Sequence, residues 1–159
     1  MGAMQSSTVP RPPPAGYSQD MTDVTLLTAH PLEESFNATL ADAWARGATR
    51  AGATVHRFDA TRLEFDPVLR KKNMTPADDE PDLARVRAAV DRSRHVTLLF
   101  PTWWVGLPGP LKALIDRLLL PGWAYRYEGR ALPTGLMAGK NPAEHQWTVA
   151  IAESLVGKP

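Results

Sequence analysis

The sequence predicts an α/β domain in which a parallel sheet carries helices on both faces. Three observations support this. Short β-rich apolar runs alternate with helical-period segments three times between residues 24 and 119. Such alternation implies right-handed βαβ crossovers, which place successive strands in parallel. The run at 96–100, Val-Thr-Leu-Leu-Phe, is apolar without alternation, as expected of a central strand covered on both sides.

The elements follow in order. Residues 24–28 form a first strand that stops at Ala29-His30-Pro31, where the proline opposes both helix and central strand. From Asn37, a residue type suited to capping, Leu40, Ala41, Trp44, Ala45 and Ala48 recur at helical spacing until Gly52. Residues 54–58 alternate with period two and predict a second strand. A long charged connection follows; it holds Asp66-Pro67 and the cluster Arg70-Lys71-Lys72, which reads as a solvated loop in preference to a phosphate site. Leu83, Val86, Ala89 and Val90 predict a helix over 81–94. Pro110 then opens a third helix with the apolar face Leu111, Leu114, Ile115, Leu118 and Leu119, closed by Pro121-Gly122. Residues 146–152 suit a fourth strand.

Composition removes several function classes. The 18 basic residues nearly balance 17 acidic ones, so no broad field would recruit nucleic acid or an acidic membrane. Cysteine is absent, which excludes disulfides, thiolate nucleophiles and Cys-ligated metal centres, and permits a cytoplasmic setting. The longest uncharged stretch, 96–111, is interrupted by three prolines and two glycines and falls short of the roughly 20 apolar residues of a membrane span. There is no Gly-x-Ser-x-Gly elbow, and the four histidines show no metal-ligand spacing. Residues 1–22, rich in proline and polar types, read as a disordered leader.

A parallel sheet of this kind binds its ligand outside the carboxyl ends of the strands, so two loops matter most. In the first, 29–37, Ser35 and the free N–H groups of a helix start suit an anion, with Asn37 at the helix start and His30 as a further donor. An ordinary capped helix explains the same residues, and no glycine-rich phosphate fingerprint is present. In the second, 101–109, adjacent Trp103 and Trp104 stand on a turn shaped by Pro101, Gly106, Pro108 and Gly109. Flat aromatic faces beside backbone N–H groups suit a planar heterocycle; a protein interface and a substrate platform remain alternatives.

His30-Pro31 with Ser35-Phe36-Asn37, then Phe100-Pro101-Thr102-Trp103-Trp104 with Leu111-Lys112, Ile115-Asp116-Arg117 and Pro121-Gly122-Trp123-Ala124-Tyr125, resemble the flavodoxin-like NAD(P)H dehydrogenase (quinone) family. The resemblance runs over residues 23–140 and implies a three-layer flavodoxin-like parallel sheet. It implies FAD or FMN as cofactor, NAD(P)H as co-substrate, and hydride transfer through flavin N5 to a quinone or similar acceptor, with the flavin itself performing the chemistry. By the same resemblance His30, Ser35, Phe36 and Asn37 hold the flavin phosphates, and Thr39 adds a backbone contact. Pro101, Thr102, Trp103, Trp104 and Val105 hold the isoalloxazine, Trp104 being the nearest ring neighbour. Tyr125 and Tyr127 match aromatic positions that, in dimeric relatives, line the nicotinamide and quinone pocket, which implies a homodimer with Trp104 on the substrate side.

The chain departs from the family pattern after Lys140. Asn141-Pro142-Ala143-Glu144-His145 intervenes before the fourth strand, and Glu153 stands where a Thr/Gly-rich turn usually meets the flavin. In that turn its carboxylate would oppose the charge of the reduced ring and lower its potential, or would itself be driven toward protonation. The expected domain therefore runs over 23–159, incomplete or divergent after 140, with four of the usual five strands and an apolar edge at 146–152. Two other readings accompany the enzyme: a non-catalytic flavin-binding regulatory subunit, as in relatives that act beside potassium-efflux transporters, and an inactive truncated product.

Overall fold

The computed structural model describes residues 22–70, 80–127, 133–136 and 146–152. In β1 (Asp23–Thr28) and β3 (His95–Pro101) every position after the first is buried. These apolar runs form the middle of a parallel sheet. β2 (Thr54–Asp59) is only half-buried and carries His56 and Arg57, which suits the edge it occupies beside β1. β6 (Gln146–Ala152) pairs in parallel with β3 from His95 opposite Gln146 to Pro101 opposite Ala152, and the order is β2-β1-β3-β6. Among the described residues this sheet has four strands, with β6 at its other edge.

The helices take opposite faces because the side chains of each strand alternate. Leu26 and Leu99 point to α1 (Phe36–Arg50), where Ala41, Leu40 and Trp44 cover them. Leu27, Leu98 and Phe100 point the other way, onto Leu83, Val86 and Val90 of α2 (Pro81–Arg92) and Leu111, Leu114 and Leu118 of α3 (Gly109–Leu118). The result is the three-layer doubly wound arrangement expected from the sequence. A small antiparallel pair, β4 (Tyr125–Arg126) with β5 (Thr134–Gly135), lies outside the main sheet.

Local chemistry moves two boundaries. α1 begins two residues earlier than an Asn37 cap would place it, because Ser35 is the cap: its backbone is extended and its Oγ accepts the Ala38 N–H at 3.1 Å. α2 stops at Arg92, since the buried Ser93 hydroxyl pairs with Thr25 Oγ1 at 2.7 Å and the Arg94 N–H donates to the Asp23 carbonyl at 2.8 Å. Ser93 and Arg94 thus already lead the chain into β3.

The described part of the connection after β2, residues 60–70, is tied to the core and to α2 and α3. Leu63 and Phe65 pack against the core, and Arg117 of α3, 3% exposed, donates to the Asp66 carbonyl and to the carboxylate of Glu80, the α2 cap position. The Asp66 N–H in turn donates to Glu80 Oε1 at 2.8 Å. Arg70 pairs with Asp66, whereas Lys71 and Lys72 lie outside the described residues, as does the leader up to residue 21.

The Arg117 guanidinium, helped by the Asp66 N–H, holds the Glu80 carboxyl below its usual range. A carboxyl whose pKa is lowered by folding stabilises above the ordinary glutamate value of about 4.3 and loses that contribution as pH falls through the lower folded value. Glu80→Ala leaves a buried guanidinium short of its counter-charge. It should destabilise by about 2 kcal/mol, under the roughly 3–5 of a wholly buried pair because Glu80 keeps some contact with water. Urea denaturation checks this, and Glu80→Gln should be weaker than wild type at neutral pH and converge with it in acid.

Candidate functional site

β1 and β3 are neighbours, yet the helix after β1 and the helix after β3 lie on opposite faces of the sheet. Their connecting loops therefore diverge at the carboxyl ends of the strands and leave a crevice, the usual ligand position in doubly wound sheets. Both loops singled out from the sequence lie there.

In the first loop His30 Nδ1 lies 3.1 Å from the Leu32 N–H and 3.2 Å from the Leu32 carbonyl, accepting from the one or donating to the other according to the ring tautomer. Ser35 accepts from Ala38 as the cap, and its own hydroxyl proton stays free to donate. Thr39 turns both its N–H (3.0 Å) and its hydroxyl (3.3 Å) to the Ser35 carbonyl, so the backbone contact expected of it is already used inside the helix. Phe36 and Asn37 occupy the first turn, where N–H groups have no intrahelical acceptor. The Phe36 ring is exposed; Asn37 is 5% exposed, and its Oδ1 has no hydrogen-bond partner among the described residues. An unmatched buried acceptor costs about 1–3 kcal/mol, so its persistence calls for a partner.

Beside Asn37 opens a cleft of about 630 Å³. Thr28, His30 and Glu33 form one wall, Arg57, Asp59 and Arg62 from β2 and its following loop form the other, and Asp82 and Arg85 at the start of α2 close the end. Sequence reading missed this second wall, because the pairing of Glu33 with Arg62 and of Asp42 with Arg57 joins residues far apart in the chain.

In the second loop Trp103 and Gly106 exchange N–H···O bonds of 3.1 and 2.9 Å and close a two-residue turn. Both central residues are left-handed, Trp104 at φ 50° and Val105 at φ 60°. Such turns normally hold asparagine or glycine, and a β-branched residue there is a strong outlier. Gly106, expected to shape the turn, follows it without a positive φ. The side chains of Trp104 and Val105 are fully exposed, so packing within the chain does not offset the strain. Thr102 Oγ1 is buried without a partner, a second unmatched polar atom at this end of the sheet. Pro101 is buried at the end of β3.

The structure brings the two loops together through the rings of His30 and Trp103, whose centroids lie 6.4 Å apart. Tyr125 and Tyr127 meet edge to face at 5.6 Å, Tyr127 largely exposed. Glu153 and residues 141–145 lie outside the described residues.

The turn yields a direct test. A left-handed conformation costs a non-glycine residue about 1–2 kcal/mol, whereas glycine adopts it freely but loses more entropy on folding. Val105→Gly should therefore stabilise the protein by about 0.5–1 kcal/mol, which raises the melting temperature by about 1–4 °C. A lower melting temperature would show that the side chain of Val105 contributes packing that outweighs the strain.

A family model described as flavodoxin-like fold matches residues 22–146. The chain is 33% identical over 121 residues to the uncharacterized NAD(P)H oxidoreductase YcaK of Escherichia coli, covering 69% of this chain and 58% of that protein. It is 26% identical over 122 residues to NAD(P)H dehydrogenase [quinone] 1 of Cavia porcellus, covering 64% and 44%. The chain spans about half the length of the curated relatives it matches. The solved NAD(P)H:quinone oxidoreductase of Methanothermobacter marburgensis superposes with a TM-score of 0.67 at 21% identity, over 88% of this chain and 90% of that one. Smu.1420 of Streptococcus mutans gives the same score and identity over 86% and 90%. At that identity these two structures speak for the fold alone. With the parallel order β2-β1-β3-β6 and the family match over most of its length, the chain belongs to the flavodoxin-like family that includes the NAD(P)H dehydrogenases (quinone).

Proposed function

We propose that this chain holds a flavin, FAD or FMN, in an NAD(P)H-dependent oxidoreductase that passes hydride to a quinone or similar small electrophile. The carrying observation is the unmatched chemistry of the two loops at the carboxyl ends of the strands: the buried Asn37 Oδ1 on one, in the cleft beside β2, and the buried Thr102 hydroxyl with the strained, bare Trp104-Val105 turn on the other. Relatives named as NAD(P)H oxidoreductases and quinone dehydrogenases support the same reading.

The residues present fit a flavin nucleotide. Its hydroxyl and N–H groups are the donors that Asn37 Oδ1 lacks, and its ring edge offers a partner for Thr102. Its phosphate suits the first-turn N–H groups of Phe36 and Asn37, the Ser35 hydroxyl and the His30 ring. When bound, the flavin supplies a ring that accepts hydride from NAD(P)H and later donates it.

The protein's own share is positional. Pro101, Trp103 and Thr102 fix the edge of the ring, while Trp104 and Val105, held outward by the tight turn, cover it and exclude water. Tyr125 and Tyr127 supply aromatic surface for the nicotinamide and then the acceptor. Thr39 acts by holding the Ser35 carbonyl, and so the cap, in place. We place the functional unit at 23–159 behind a leader at 1–22, acting as a cytoplasmic homodimer. Among the described residues no helix is long and apolar enough to cross a membrane.

Absorbance spectroscopy tests the proposal. The purified protein, supplied with FAD or FMN, should retain one of them, and anaerobic NADH or NADPH should bleach the oxidised flavin band. A flavin that binds and stays oxidised with both nucleotides would replace the enzyme with a regulatory flavin-binding subunit. Failure to retain either flavin would overturn the cofactor assignment.

A further inference from the structure

We propose that Glu33 and Arg62 form an exchangeable strap across the cleft, in which a phosphate-bearing ligand takes Arg62 from Glu33, so that this pair sets the selectivity of the cleft for anions. The inference rests on the flavin reading above and goes beyond it by naming the residues that admit the anion.

Glu33 belongs to the loop after β1 and Arg62 to the loop after β2, so their ion pair bridges the mouth of the cleft. Neither side chain is held by packing, at 74% and 58% exposed, and exposed pairs of this kind are weak. The other two guanidinium groups lining the cleft are engaged differently. Arg57 pairs with Asp42 of α1, and Arg85 pairs with Asp82 one turn earlier on its own helix. Arg62 alone among the three is held by a carboxylate reaching across from the opposite loop, with Asp59 as a second neighbour at 3.7 Å.

Charge explains why exchange is needed. Four carboxylates, Glu33, Asp42, Asp59 and Asp82, line the cleft against the three guanidinium groups of Arg57, Arg62 and Arg85. With the strap closed, the formal balance opposes a phosphate. Turning Glu33 out to water removes one carboxylate from the cleft and frees one planar, bidentate donor at the same time. The Arg62 contact keeps the Glu33 carboxyl below its usual range, so the strap is a charged pair at neutral pH. Independently, Asn37, a residue only 5% exposed, lines the same cleft beside the α1 N-terminus with its Oδ1 buried and unmatched, which marks this as a place prepared for a ligand.

The test is flavin fluorescence titration of the apoprotein with FAD, FMN and riboflavin, the last lacking phosphate. Glu33→Gln should tighten FAD and FMN about threefold to fivefold, and Arg62→Gln should weaken them about tenfold, both effects shrinking in high salt. Riboflavin should be indifferent to either change. Glu34→Gln, which removes an equal charge from the same loop outside the pair, should change nothing, and Glu33→Gln should gain little once Arg62 is Gln. Equal affinities across the variants, an equal gain from Glu34→Gln, or a Glu33→Gln gain undiminished without Arg62 would each overturn the strap while leaving the flavin assignment standing. Absence of saturable flavin binding by the wild type would sink that assignment and the strap with it.

Discussion

The adjacency of β1 and β3 is the constraint on which the rest depends. Because these two strands are partners while α1 and α3 lie on opposite faces, the chain cannot cover the ground between their carboxyl ends. Leu26 and Leu99 commit one face to α1, and Leu27, Leu98 and Phe100 commit the other to α2 and α3. A crevice follows from the packing of apolar side chains some distance away. The chemistry at this end of the sheet is then a matter of a few polar atoms, and two of these, Asn37 Oδ1 in the cleft beside β2 and Thr102 Oγ1 on the loop after β3, are buried without partners.

Those atoms and the left-handed pair Trp104-Val105 are local losses, each of order 1–3 kcal/mol, that the surrounding core must outweigh. The buried Arg117 supports this end of the molecule by tying α3 to the Asp66 carbonyl and to the start of α2. It thereby fixes the loop that carries Arg62 and the helix turn that carries Asp82 and Arg85, the outer wall of the cleft. Stability in the core and chemistry at the rim are linked through that one guanidinium.

The layers were legible in the sequence because they depend on local periodicity. The apolar run at 96–100, short and bounded by Arg94-His95 and Pro101, suits a strand buried on both faces, and the leucines of α3 recur at helical spacing. The cap was less legible: Ser35 and Asn37 are both good cap residues, and only the geometry of the turn decides that Ser35 accepts the N–H while Asn37 turns inward. β4 and β5, two residues each, are too short to leave a periodic signal. The pairs Arg117 with Glu80 and Glu33 with Arg62 link distant residues, which no window of sequence can reveal. In the second loop the sequence sets both tryptophans on a turn shaped by prolines and glycines, whereas the left-handed positions are Trp104 and Val105.

The central claim is that one ligand bridges the two loops across the β1–β3 switch point. Backbone amide NMR of the protein titrated with FMN or FAD tests it most directly. The account predicts that the amides of Phe36 and Asn37 and those of Trp104 and Val105 shift together, at the same ligand concentration, while those at the opposite strand ends, such as Asp23 and His95, stay in place. Shifts confined to one loop, or centred at the amino ends of the strands, would contradict it.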